Sequence, residues 1–443
     1  MKEITIIGGG LAGSEAAWQA ARLGIRVRLY EMRPIKMTEA HETSGLAELV
    51  CSNSLRSGEL STGPGLLKKE LEIAGSLIMQ AALNSSVAAG SALAVDRRLF
   101  SEHITSALEK HPLIEIIREE VTSLPFDRIA IVATGPLTTA SMADSLKLIV
   151  GDEYLHFYDA IAPIIDADSI DYSKVYMMSR YGKGGDDYLN CPMTKEEYGI
   201  FYDALTAADS VTARGFEDIK VFEGCMPVEV MARRGVDTLR FGPLKPVGLP
   251  DPSTGKVPYA VVQLRTENRE RTAYNMVGFQ TRLKWPEQKR VFRLIPGLEN
   301  AEFFRLGSIH RNTFINSPRH LNTDLSLKES ESVYLAGQIT GVEGYIESTA
   351  IGLMAGVSAS LRVLGKEFIP PPRASAHGSL LAHIIESDPE HFVPSNINFG
   401  LLPSEDAAPR IRDKKMRRQK IAELAIKEWL EYIQRLKTEY NFK

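Results

Sequence analysis

The run Ile4-Thr5-Ile6-Ile7-Gly8-Gly9-Gly10-Leu11-Ala12-Gly13 decides how this chain is read. Its β-branched opening makes a short strand, and the glycines follow at once. Ser14 to Leu23 is alanine-rich and reads as a helix, and Ile25 to Tyr30 as a second strand closed by Glu31. Strand, glycine turn, helix, strand and acid is the order of a dinucleotide-binding unit. Gly8 permits the tight turn, Gly10 lets a pyrophosphate approach the backbone, and Gly13 lets helix and strand pack closely. Gly9 lies inside the same turn. Leu11 and Ala12 open the helix, whose free N–H groups and positive dipole end face the phosphates. Glu31, about 20 residues on, can accept from ribose hydroxyls, which favours FAD or NAD. Arg33 keeps NADP open and otherwise reads as a solvated loop charge.

A chain of 443 residues exceeds one ordinary core and predicts two or three domains. Apolar residues make up 44%, as in a globular protein. The net charge of −4 gives no global basic field, so a polyanion site has to be a local patch. No apolar run nears the about 18 residues of a membrane span. The N-terminus enters a strand directly, so no signal peptide is expected. Three cysteines without a C-x-x-C predict neither a disulfide framework nor a zinc cluster, and point to a reducing cytoplasm.

Four regions follow along the chain. Residues 1–150 read as the first part of the dinucleotide domain. Within them, Pro34 to Ser61 is a polar excursion holding Cys51-Ser52-Asn53-Ser54, and long excursions of this kind are often functional. Leu66 to Met79 reads as one helix. Asp96-Arg97-Arg98 opens another, and Arg128 to Ala133 is a buried strand running into Thr134-Gly135-Pro136. That turn resembles the one passing under the cofactor in flavoproteins. Residues 151–300 read as an inserted α/β substrate domain with a cationic belt: Arg265, Arg269, Arg271, Arg282, Lys284, Lys289, Arg290 and Arg293.

Residues 301–370 close the FAD domain. Ser332 to Ala336 is a strand, Gly337 to Tyr345 a glycine-rich turn, and Ala350 to Leu364 a helix. In two-dinucleotide-fold flavoproteins this turn holds the ribityl chain and isoalloxazine, with Gln338 here replacing the usual Asp. Gly344 and Tyr345 belong to it, and Tyr345 either stacks on a flat ligand or packs in the core. Residues 371–443 are a loop and a helical tail. Residues 410–443 hold eleven lysines and arginines against five acids. Ile421, Leu424, Ala425, Trp429, Ile433 and Leu436 share one helical face. The tail is either a docked, solvated helix or a phosphate-contacting surface through Lys414, Lys415, Arg417 and Arg418.

Cys225, in Glu223-Gly224-Cys225-Met226-Pro227, is the best nucleophile candidate. Pro227 suits a first helical turn, and a cysteine at a helix N-terminus becomes more thiolate-like. Its bland alternative is a small buried hydrophobe. Cys51 sits in a polar loop, a poor place for a core residue. Cys191 reads as structural, and so does His310. No metal-ligand spacing is present.

Together, the Gly8–Gly13 turn, Glu31-Met32-Arg33-Pro34, Cys51-Ser52-Asn53-Ser54, Glu223 to Pro227, Phe241-Gly242-Pro243-Leu244-Lys245-Pro246 and Gly337 to Tyr345 resemble one family. It is the folate- and FAD-dependent tRNA (uracil-5-)-methyltransferase (TrmFO) family of bacteria, and the resemblance runs from residue 1 to about 365. It implies a glutathione-reductase-like Rossmann FAD domain with an inserted domain. It also implies formation of 5-methyluridine in the T-loop of tRNA. The carbon would come from 5,10-methylenetetrahydrofolate, and the reducing equivalents from NADH or NADPH through FAD. Cys225 occupies the family's nucleophile motif and Cys51 would be its partner. Arg282, Lys284 and the tail would face tRNA, with no membrane and no obligatory protein partner. Besides a non-catalytic RNA-binding flavoprotein, which would bind tRNA and FAD without turnover, two alternatives remain at this stage. One is a flavoprotein of wobble-uridine modification, whose chains carry a longer helical C-terminal domain. The other is an NAD(P)H-dependent flavin oxidoreductase, which would need a C-x-x-C or a second glycine fingerprint.

Overall fold

The computed structural model describes residues 2–151, 155–182, 184–211, 226–403, 411 and 413–440, with the side chains of 155–159 and 309–312 excepted. At the centre is a six-stranded sheet. Ser330–Leu335, Ala130–Val132, Glu3–Ile7, Arg26–Tyr30 and Ile114–Ile117 lie side by side and parallel, and Ser326–Leu327 adds an antiparallel edge. Ile4, Ile6, Val27, Leu29, Ile131, Val132, Val333 and Leu335 are buried, as a sheet covered on both faces requires. Ile7 pairs with Tyr30 and with Val132, and Val132 pairs with Leu335. This register sets Gly8, Glu31, Ala133 and Ala336 in one row, so every turn singled out in the sequence leaves the sheet at the same end.

Two helices lie together behind that row. Leu11–Arg22 starts at the glycine turn, and Tyr345–Val363 starts directly after Gly344. The second begins five residues earlier than the expected Ala350, because Gly344, at φ +117°, closes the turn there. The helices touch through small residues. A Cβ on Gly352 would sit 2.3 Å from the Ala12 carbonyl oxygen, and one on Gly356 2.6 Å from that of Ala16.

Leu66 to Met79 forms two helices, Gly63–Ile73 and Leu77–Asn84, rather than one. Gly75 takes φ +72° between them, and the Ser76 hydroxyl accepts from the Met79 N–H to start the second.

An antiparallel ribbon, Leu155–Ala160 with Ile309–Phe314, leads into and out of the insertion. Beyond it is a six-stranded antiparallel sheet in which Tyr188–Met193, Ala260–Thr266 and Ala273–Met276 are neighbours. Phe303–Arg305 pairs with Ile164–Asp166 in this sheet, so its pairing runs past the expected boundary at 300. Lys195–Ala207, opened by a Thr194/Glu197 capping box, and Trp285–Phe292 bury Phe201 and Phe292 against Phe279. Cys191 is fully buried there, and burial pushes its thiol up.

The tail helix Lys414–Tyr440 docks. Ile421, Ala425, Trp429, Ile433 and Leu436 are buried, and Leu424 is half-buried. Trp429 stacks on His377 with ring centroids 4.1 Å apart, and its indole N–H donates to the Glu70 carbonyl at 2.8 Å. Trp429→Ala is expected to cost about 3–5 kcal/mol, read as a lower urea midpoint.

Candidate functional site

The row of turns encloses a cavity of about 360 Å³. Gly8, Gly10, Leu11, Ala12, Glu31, Thr134, Gly135, Gly337, Gln338, Gly344 and Tyr345 all line it, and so does Cys51. The sequence had placed these residues on five separate segments, and the fold brings them to one cleft.

The glycine turn is packed from behind and open in front. A Cβ on Gly8 would lie 2.5 Å from the Ala133 carbonyl oxygen, and one on Gly13 1.8 Å from that of Gly8. At Gly10 a Cβ would meet nothing within 4 Å, because it would point into the cleft. Neither helix that begins here has a side-chain cap, at Gly10 or at Gly344. Both therefore present uncapped N–H groups and positive dipole ends to the cavity.

Glu31 is held in place. One carboxylate oxygen accepts from the Gly9 N–H at 3.0 Å, and the Arg33 guanidinium donates to both oxygens, at 2.9 and 3.2 Å. Arg33 also donates to Glu48 at 3.0 Å. Its side chain is 2% exposed, which corrects the reading of a solvated loop charge. Two carboxylates commit the guanidinium, so Arg33 positions Glu31 inside the cleft wall. Burial alone would raise the Glu31 carboxyl, but Arg33 and the Gly9 N–H outweigh it and leave it below the usual range. A depressed carboxyl contributes stability that is present above its ordinary value, 4.5, and lost as pH falls through the lower folded value. Arg33→Met reverses the sign, since burial then dominates. The variant is expected to lose about 3–5 kcal/mol at pH 7. The deficit should shrink as pH drops towards 5, read from urea midpoints at the two pH values. Nearby His41, also lining the cleft, is pushed down to about 4 by burial and by Arg33, so its imidazole is neutral at physiological pH.

Cys51 stands at the end of the cleft near the insertion. The Cys51 and Ser52 N–H groups donate to the Tyr345 hydroxyl at 2.8 and 3.2 Å. Tyr345 thus braces the cysteine loop. Arg97 donates to the Leu49 and Cys51 carbonyls at 2.5 and 3.2 Å, and pairs with Glu267 at 2.5 Å. Arg265 donates to the Asn53 side-chain oxygen and the Ser52 hydroxyl, both at 2.9 Å. Arg265 is 6% exposed, so it leaves the expected surface belt and belongs to the support of the cysteine loop. Asn53 was quoted in the sequence only as part of the cysteine motif and Arg97 only as opening a helix, while Glu267 was not singled out at all. Only the adjacency of Asn53 to Cys51 could have flagged one of them.

Gln338 donates to Glu343 at 2.9 Å, so an acid stands beside the residue that replaces the Asp expected from two-dinucleotide-fold flavoproteins. Glu347, in the first turn of Tyr345–Val363, is fully buried, and burial raises its carboxyl. Glu347 lines the cleft; its Oε1 accepts from the Ile397 N–H at 3.1 Å, and its buried Oε2 has no hydrogen-bond partner. Below it, burial pushes Lys68 down to about 8.

The cationic candidates divide. Arg282 lies 3.7 Å from the buried Glu229, and Lys284 pairs with Asp209 at 3.0 Å on the surface. Lys414, Lys415 and Arg417 are exposed on the first turns of the tail helix, and Arg418 is half-buried. Cys225 lies outside the described residues, as does the His310 side chain. Among the described residues no group of three or more His, Cys, Asp or Glu is set to hold a metal ion. Among the same residues no helix is long and apolar enough to cross a membrane.

The family model for glucose inhibited division protein A matches residues 3–367. The TrmFO methylenetetrahydrofolate–tRNA-(uracil-5-)-methyltransferase of Geobacter sulfurreducens is 58% identical over 96% of this chain and 98% of its own length. That of Natranaerobius thermophilus is 57% identical over 98% and 99%. Among solved structures, Aquifex aeolicus GidA superposes with a TM-score of 0.68 at 18% identity, over 99% of this chain and 75% of its own, which speaks for the fold. The chain belongs to the glucose inhibited division protein A family, among its methylenetetrahydrofolate–tRNA-(uracil-5-)-methyltransferases.

Proposed function

We propose that the protein makes 5-methyluridine in the T-loop of tRNA, with 5,10-methylenetetrahydrofolate as carbon donor and NADH or NADPH as reductant. The carrying observation is a dinucleotide cleft with a braced cysteine at its end, in a chain 58% identical to a curated methyltransferase of this kind. FAD fits the cleft. The open face of Gly10 and the uncapped start of Leu11–Arg22 suit its pyrophosphate, and Glu31 its ribose. Thr134, Gly135, Gly337, Gln338 and the start of Tyr345–Val363 are left for the ring. When bound, FAD supplies the hydride that completes the methyl group.

The protein's part is to activate the uracil. Carbon 5 is a weak nucleophile until a thiolate adds to carbon 6, and Cys225 takes that role. Val228, three residues further on, donates its N–H to Gln280, which lines the cleft. Cys51 takes the proton from carbon 5. Arg97 donates to the Cys51 carbonyl and Arg265 to the Ser52 hydroxyl, which hold the cysteine loop at the cleft. The target base has to leave its loop to reach this cleft. The cytoplasm, where tRNA is available, is the compartment this reading implies.

Nucleoside mass spectrometry on an unmodified tRNA transcript tests the proposal, with FAD, NAD(P)H and methylenetetrahydrofolate supplied and S-adenosylmethionine as the control donor. The expected result is a folate-dependent 5-methyluridine at the T-loop position. Bound flavin without methylated uridine overturns it. Neutralising Lys414, Lys415, Arg417 and Arg418 together is expected to weaken tRNA binding and to flatten its salt slope by about 3. An unchanged slope, from filter binding over a salt series, would leave the tail a packed helix only.

A further inference from the structure

Beside the cleft lies a second cavity, of about 420 Å³. Two regions far apart in sequence make it. One is Arg56 with the start of the Gly63–Ile73 helix, the other the loop from Asn396 to Phe399 with Arg418 from the tail helix. Arg56 lines both cavities, so the two share a wall. Of its lining, only Arg418 is used above, as one of the tail cations facing tRNA.

Its lining has a definite chemical character. Arg56 is held at φ +64°, a backbone conformation that non-glycine residues avoid. Lys68 fixes it by donating to the Leu55 and Arg56 carbonyls, both at 2.8 Å. The Arg56 guanidinium reaches the buried Glu347 at 3.4 Å with one nitrogen, and its side chain is 37% exposed. Arg418 lies over the Phe399 ring, 5.5 Å from its centre, with no ion pair among the described residues. Phe399 is half-buried, which leaves part of the ring open. Two guanidiniums with donors to spare suit a phosphate. An aromatic face with a guanidinium beside it suits a base. Beyond Arg418, the exposed Lys414, Lys415 and Arg417 continue the positive line.

Resting on the reading that the substrate is RNA, we infer that the second cavity is a nucleotide subsite of the same strand. It takes a nucleotide flanking the target uridine, with the phosphate between Arg56 and Arg418 and the base against Phe399. A uridine drawn out of its loop needs its strand gripped beside it, and Arg56 supplies the grip at the shared wall.

Phe399→Leu keeps apolar packing and removes the aromatic face, and Arg418→Gln keeps length and removes the charge. Each is measured with its FAD bound, against the tRNA transcript, for affinity over a salt series and for kcat and KM. Phe399→Leu is expected to weaken tRNA about tenfold without changing the salt slope, and Phe399→Trp to restore it. Arg418→Gln is expected to lower the slope by about 0.7. Both should raise KM at unchanged kcat with FAD retained. Ultraviolet crosslinking of wild type should join a nucleotide flanking the methylated uridine to the peptide holding Phe399. Wild-type affinity and slope in both variants, or crosslinks mapping elsewhere, overturn the subsite while the methyltransferase reading stands. Equal weakening in the Leu and Trp variants with lowered thermal midpoints also overturns it, since Phe399 would then be packing alone. A wild type that methylates no tRNA overturns the function itself.

Discussion

Gly13→Ala will yield protein without bound FAD. The new Cβ would lie 1.8 Å from the Gly8 carbonyl oxygen and 3.1 Å from its carbon, and both are backbone atoms that no rotamer change can move. The helix Leu11–Arg22 would have to retreat from the turn. It cannot, because on its far side the Ala12 and Ala16 backbones rest on Gly352 and Gly356, where even a methyl group has no room. The helix is confined from both sides, so the strain falls on the turn that carries the cradle and the Gly9–Glu31 bond. Overpacking against side chains costs about 1–3 kcal/mol. Against backbone the cost is expected to exceed that, which weakens FAD by about a hundredfold or more. Gly10→Ala separates packing from binding. With nothing within 4 Å of its Cβ, it should fold with a wild-type thermal midpoint and still bind FAD weakly, because the methyl group enters the cleft. Flavin absorbance after gel filtration reads both. A Gly13→Ala protein that keeps its full flavin complement would refute the account of the turn.

That turn was legible because every part of it is local: strand, glycines, helix and acid fall within 31 consecutive residues. The strands that end at Gly8, Glu31, Ala133 and Ala336 were legible too, but their alignment into one row came only from the pairing register. Charge was not legible in the same way. Arg33 and Arg265 look in sequence like any solvated cation, and burial is decided by partners the pattern cannot pair with them. Glu48 lies 15 residues from Arg33, and Arg265 finds Asn53 across 212. Arg97 and Glu267, 170 residues apart, brace the cysteine loop by the same long-range pairing. The start of Tyr345–Val363 was read late because Gly344 and Tyr345 look like turn residues. The second cavity has no sequence signature, because folding alone brings the stretch from Arg56 to Pro64 against Asn396 to Phe399 and Arg418.

The two cysteines should fail differently. Cys225→Ala and Cys51→Ala are both expected to keep FAD, since the glycine turn and the Gly9–Glu31 bond that shape the cleft are made by other residues. Both should lower methylation by on the order of 10⁴-fold, the scale on which losing a group from a covalent mechanism is felt. The order of bond changes separates them. A thiolate adds to carbon 6, carbon 5 bonds to the incoming methylene, the carbon 5 proton leaves to a base as the methylene's bond to the folate nitrogen breaks, and hydride added to the exocyclic methylene expels the thiolate. Without Cys225 no protein–RNA bond forms. Without Cys51 the bond forms but the proton has no acceptor, so the thiolate cannot leave and the adduct accumulates. Denaturing gels of each variant with labelled tRNA transcript, FAD, NAD(P)H and methylenetetrahydrofolate should show a shifted band for Cys51→Ala and none for Cys225→Ala. The reverse pattern would exchange the two roles. It would make Cys51 the nucleophile, already held rigid by the Tyr345 hydroxyl and Arg97. Full turnover in either variant would remove that cysteine from the chemistry.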